Sequence, residues 1–169
     1  MKNSMHVRHI QSKDTLIRYY AMQTVKILPL NEIDKKLLEQ QISELIQNAV
    51  VHGNKNREEL TVNIRYLFKD NVFTIILQDE GNGFNELEHW KQWNEKRSKL
   101  QQEKNAEEFF MYAAYQKRGS FNPCSSGGTG LFAAFEYWDK EFSFSKDGNS
   151  VTASKIFYPT FIEEEYESD

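Results

Sequence analysis

Hydrophobic residues in this chain change their spacing abruptly near residue 55, and few architectures accommodate the change. Ile33, Leu37, Leu38, Ile42, Leu45, Ile46 and Ala49 recur at spacings of three and four, the pattern of a helix with one apolar face. Leu60, Val62, Ile64, Tyr66 and Phe68 then alternate with Thr61, Asn63 and Arg65, the pattern of a strand with one side in a core. Asp70-Asn71 supplies turn chemistry and leads into Val72–Leu77, a second strand. A long helix that feeds a hairpin requires layers of two different kinds.

The flanking segments extend that plan. Met5–Ile10 reads as a short leading strand, and Ser12 or Asp14 can cap a helix to about Leu28, with Leu16, Ile17, Tyr20 and Val25 on its apolar face. Pro29 stops it, Asn31 caps the second helix, and Gly53 with Asn54 ends that one. Beyond Gly81 and Gly83 the texture is charged yet aromatic, with Trp90, Trp93, Phe109, Phe110, Tyr112 and Tyr115. Helices are expected at Glu86–Gln102 and Ala106–Lys117, then a loop from Gly119 to Ser126 and a helix at Leu131–Trp138. Glu141–Ser145 and Val151–Tyr158 form a last hairpin about Asp147-Gly148-Asn149. The expected fold is α+β: a two-layer α/β sandwich, with helices on one face of a mixed, mainly antiparallel sheet. At 169 residues the chain fits one domain, 1–158, with 85–126 as an insertion and 159–169 as an acidic tail.

Composition narrows the class of function. With 21 basic and 25 acidic residues the net charge is -4, and Glu163, Glu164, Glu165, Glu167 and Asp169 concentrate the negative charge in the tail. Nothing resembles a phosphate-backbone footprint, so nucleic acid is not an expected partner. The one cysteine, Cys124, can form no internal bridge and no thiolate metal cluster. The longest apolar run, Val72–Leu77, is far short of the roughly 18 residues of a membrane span. The first ten residues lack an apolar secretory core, and the expected location is the cytoplasm.

Three segments carry chemistry. Glu44 and Asn48 are four apart on one helix, which sets a carboxylate beside a carboxamide. A carboxamide oxygen suits Mg²⁺, and a carboxylate can take a proton from an attacking hydroxyl. Alone, such a pair on a helix face is usually just solvated. Asp79-Glu80-Gly81-Asn82-Gly83 follows an apolar strand directly. A carboxylate there needs a partner, for which an adenine amino group is a candidate, and the glycines let backbone approach a flat ligand. The plain alternative is a strand-ending turn. Gly127-Gly128-Thr129-Gly130-Leu131 opens a helix, where free N–H groups can bind phosphate. It is neither a Walker loop nor a dinucleotide fingerprint, and a flexible linker would look similar.

In this order the three segments resemble the Bergerat-type ATP fold shared by gyrase, chaperone, mismatch-repair and histidine-kinase ATPases. The run from Glu44 to Asn54, with His52-Gly53 after Asn48-Ala49, resembles the anti-sigma-factor serine/threonine kinases in particular. The resemblance covers roughly 1–84 and 127–158. It implies Glu44 as general base for a serine hydroxyl and Asn48 as the Mg²⁺ ligand. Asp79 would bind the adenine amino group, above a floor of Gly81 and Gly83. Gly128, Thr129, Gly130 and Leu131 would cradle the phosphates, and Gly148 would match a last glycine motif, followed here by Ser150 rather than threonine.

There are departures from the family pattern. Phe132 stands where histidine kinases often carry glycine, and the insertion is longer than a typical lid of these kinases. His6 and His9 read as surface residues, and His52 as a loop-orienting one. The function implied is an ATP- and Mg²⁺-dependent serine/threonine kinase whose substrate is a small anti-anti-sigma-like (STAS-like) protein, with a sigma factor as a further partner. The resemblance implies a homodimer through a sheet edge and the first helix, which shows Tyr19, Tyr20 and Met22. The rival readings are a non-catalytic ATP-gated binding regulator and a stand-alone histidine-kinase-like ATPase domain.

Overall fold

The structure is a computed structural model that describes residues 5–83 and 137–158, together with Lys91, Glu95 and Lys99. Its elements run β1 (His6–Gln11), a 3₁₀ turn (Asp14–Leu16), α1 (Ile17–Val25), α2 (Glu32–Gln47), a π turn (Asn48–Gly53), β2 (Thr61–Lys69), β3 (Val72–Asp79), β4 (Glu141–Phe144) and β5 (Ser150–Ile156). The sheet order is β1-β2-β3-β5-β4, and all four pairings are antiparallel. With α1 and α2 packed together and sharing the core, this is the expected α+β sandwich.

Register explains the core. Ile64, Leu77, Val151 and Phe144 lie in one row across four strands, and Tyr66, Ile75, Ala153 and Phe142 in another. Alternation puts these rows on one face, where they meet Leu38, Ile42, Leu45 and Ile46 of α2 and Ala21 and Val25 of α1. The opposite face mixes polar side chains with Leu67, Ile76 and Ile156, and there the Thr74 and Ser154 hydroxyls share a 3.0 Å hydrogen bond. The β2–β3 turn is the one read from Asp70-Asn71: both residues have positive φ, 51° and 58°, as a two-residue hairpin turn demands.

Several expectations change. Ile33 and Leu37 are exposed, not part of the buried face of α2. At about 100° per residue the buried stripe of α2 centres between Leu38 and Ile42, and Leu37 falls roughly 130° from that centre. Ile33 sits one turn before Leu37 and goes with it. Asn31 does cap α2, its Oδ1 accepting the Asp34 N–H at 2.8 Å. Ser12 does not cap the first helix; it is buried beside Asn54. That helix is also shorter than expected, with a 3₁₀ entry and an end at Val25. Of the side chains expected on show there, Tyr19 and Met22 are exposed, whereas Tyr20 packs against the core. The expected helix at 86–102 is helical at its three described positions, Lys91, Glu95 and Lys99, all exposed. The helix at 106–117, the 119–126 loop, most of the helix at 131–138 and the acidic tail lie outside the described residues.

Candidate functional site

Asp79 ends β3 in the same alternation as Phe73, Ile75 and Leu77, so its side chain belongs to the core face. It stands where that face runs out, at the level of Ile10 and Val62. Its N–H donates to the Asn149 carbonyl at 2.9 Å, which carries the β3–β5 ladder one step further. The carboxylate Oδ1 accepts the Gly81 N–H at 2.8 Å. Oδ2 has no hydrogen-bond partner among the described residues. Burial pushes the Asp79 carboxyl up from its ordinary value, against a smaller downward pull from the Gly81 N–H. A half-desolvated carboxylate with one acceptor oxygen to offer is suited to a ligand that donates.

Bare backbone surrounds it. A Cβ on Gly53 would lie 2.5 Å from the Asp79 carboxyl carbon, and one on Gly81 only 2.1 Å from the Gly53 carbonyl oxygen. Gly83, at φ +91°, has the Asp147 carbonyl oxygen 2.0 Å from where its Cβ would be. A side chain at Gly81 or Gly83 would drive backbone segments apart, and one at Gly53 would push the Asp79 carboxylate aside. Gly148 is buried at φ +72° in the β4–β5 turn, which therefore abuts the 79–83 loop. The glycines thus leave backbone rather than side chains along this side of Asp79.

The helix that brings the other candidates changes character on arrival. Glu44 lies in the last turn of α2, half-buried. The Asn48 N–H is shared between the Glu44 and Leu45 carbonyls, and the π turn begins there. It closes where the Asn54 N–H reaches the Ala49 carbonyl at 2.8 Å, five residues back. A π turn inserts one residue into the helical ladder and often marks a functional site. Here it delivers Gly53 onto Asp79 and leaves His52 exposed. Gly128, Thr129, Gly130 and Leu131 lie outside the described residues. Ser150 opens β5 and donates its N–H to Ser145 Oγ at 3.2 Å, so the backbone of that residue serves the hairpin.

Beside the site, Ser12, Asn54, Thr61 and Glu80 form a hydrogen-bond network to which the motifs assign no role. Asn54 Nδ2 donates to Ser12 Oγ at 2.7 Å and to the Thr61 carbonyl at 2.9 Å, while its Oδ1 accepts the Glu80 N–H at 2.9 Å. The Glu80 carboxylate in turn accepts from the Thr61 N–H and from Thr61 Oγ1. Those bonds hold the exposed Glu80 carboxyl below its usual range. An asparagine after a glycine reads as a helix stop, and only its neighbours in space reveal a buried one.

A family model for the histidine kinase-like ATPase domain matches residues 15–155. No curated protein matches the chain. The matched span runs from the 3₁₀ turn to the end of β5 and includes both halves of the site described above. Among the described residues no helix is long and apolar enough to cross a membrane.

Proposed function

The chain belongs to the histidine kinase-like ATPase family, an ATP-binding family, and from that premise we propose that it is an ATP- and Mg²⁺-dependent serine/threonine kinase of the anti-sigma-factor type. Its substrate is a small anti-anti-sigma-like protein, and a sigma factor is a second partner. The observation that carries this reading is Glu44, one turn before Asn48 at the end of α2. A histidine acceptor is already nucleophilic and needs no such base, whereas a serine hydroxyl has a proton to lose.

In this reading Asp79 Oδ2 accepts from the adenine amino group, and Gly53 and Gly81 keep that side free of side chains. Asn48 would hold Mg²⁺ through its carboxamide oxygen, and the ion would supply charge neutralisation at the phosphates, needing few protein ligands. Among the described residues no three His, Cys, Asp or Glu side chains cluster to hold a metal by themselves, and such a site needs none. By the resemblance, Gly128, Thr129, Gly130 and Leu131 are the residues that would cradle the phosphates. Glu44 would take the hydroxyl proton as the serine oxygen bonds to the γ-phosphorus of ATP and the bond from that phosphorus to the β-phosphate oxygen breaks, releasing ADP; the rest of the catalysis is alignment and charge neutralisation.

The test separates chemistry from binding. Glu44→Gln preserves shape, so ATP affinity stays within a few-fold while phosphotransfer to the protein substrate falls by roughly 10²–10⁴. Asn48→Ala loses the Mg²⁺-dependent part of ATP binding. A Glu44→Gln protein as active as wild type would replace this proposal with a non-catalytic, ATP-gated regulator. The same proposal includes pairing of two copies: β1 is an edge strand with Val7 exposed, and Tyr19 and Met22 stand out from α1. Light scattering that gives only the 19.9 kDa monomer at micromolar concentration removes that part.

A further inference from the structure

Asn54 is 0% exposed, and Ser12 beside it is 1% exposed. Burying a carboxamide costs free energy unless it is bonded, and an apolar residue of similar size would fill the same space without that demand. Packing alone therefore gives no reason for asparagine here. Its three bonds do. They join the segment after β1, the first residue of β2, and the amide that lies between Asp79 and Gly81. Asn54 is itself fixed by its own N–H, which closes the π turn on Ala49. Glu80 reinforces the link from the other side, because its carboxylate returns to Thr61, whose carbonyl Asn54 holds. The turn that presents the Asp79 carboxylate is thus tied, through one side chain, to the end of the helix that carries Glu44 and Asn48.

We propose that Asn54 is a positioning residue for the nucleotide site: its Oδ1 holds the Glu80 amide, and with it the Asp79–Gly81 turn, in the geometry that receives the base. The inference rests on the ATP reading above. Asn54 touches no ligand in it and acts through Asp79. Removing the side chain frees the Glu80 amide and lets the carboxylate move off the base. The loss falls at the base end of the ligand, so it is the same for a di- and a triphosphate and does not depend on Mg²⁺.

Calorimetric titration of the full chain with ATP and with ADP, each with and without Mg²⁺, tests this. Asn54→Ala should weaken all four titrations by one common factor of about 10, the worth of one hydrogen bond. Asn48→Ala should weaken only those with Mg²⁺. Ser12→Ala removes a different Asn54 bond and leaves the Glu80 contact, so it should lower the melting temperature yet bind nucleotide like wild type. Wild-type affinity in Asn54→Ala overturns the proposal, as does an equal loss in Ser12→Ala, which would reduce Asn54 to a stabilising residue. A wild-type protein that binds neither nucleotide overturns the ATP reading and this inference with it. If Asn54→Ala does not fold, amide exchange of the wild-type chain decides. The Glu80 N–H should then exchange as slowly as the amides of β3 without nucleotide, and exchange at the rate of an exposed loop overturns the proposal.

Discussion

In the proposed reading, Asp79 serves binding at a cost to the empty protein. Burial raises its pKa from 3.8, so the folded state holds this proton more tightly than the unfolded chain does. Stability from this group therefore falls as pH rises from 3.8 through the raised value, and the charged carboxylate is a net burden at neutral pH. Asp79→Asn keeps an oxygen for the Gly81 N–H and removes the charge. The ligand-free variant should melt above wild type at pH 7, and the gap should close as pH falls below the ordinary carboxylate value. In the same variant the rise in melting temperature with ATP should be largely lost, because that rise depends on binding to the folded state. Thermal melts across pH check both halves; a ligand-free Asp79→Asn that melts lower than wild type contradicts the burial argument. The burial of Asp79 was legible in the sequence, because a carboxylate just after the apolar run Val72–Leu77 continues the alternation of a core-facing strand. Asn54 was not, since a residue that completes bonds to positions 12, 61 and 80 has the same letter as one that ends a helix in water.

At the scale of elements, the hairpins and the capping of α2 were readable because each is fixed by residues adjacent in sequence. Asn31 caps through a contact three residues away, and the Asp70-Asn71 turn sets the β2–β3 register by itself. The π turn was not readable. Spacings of three and four continue through Leu45, Ile46 and Ala49 whether or not an extra residue enters the ladder, and the turn is closed by Asn54 and by the Asn56 N–H on the Val50 carbonyl. Spacing also misassigned Ile33 and Leu37, which form their own stripe on α2. The contrast can be measured by urea denaturation. Ile42→Ala, at a fully buried position, should cost about 2–5 kcal/mol. Ile33→Ser, at a position 73% exposed, should stay within about 0.5 kcal/mol. Comparable losses in both would place Ile33 in a contact that the described residues do not show.

At the scale of the molecule, the site is assembled from distant parts of the chain. Ile10 pairs with Val62 and Gln78 with Ser150, so both flanks of Asp79 depend on long-range strand pairing. Contacts of such sequence separation are slow to form, because loop closure precedes any reward. The wall beside Asp79 is made of close backbone approaches, Gly81 on Gly53 and Gly83 on Asp147, that exist only once the sheet has brought these segments together. A half-built sheet therefore has no weaker version of the site; it has none. ATP cannot then act as a template for folding, and it stabilises only a product that is already complete. In kinetic terms, saturating ATP should slow unfolding and leave the refolding rate unchanged. Stopped-flow refolding that accelerates with ATP would mean that the glycine wall closes before the sheet does. If it does not, the empty protein and the newly made chain share one vulnerability: nucleotide protects the molecule from coming apart but gives no help in putting it together.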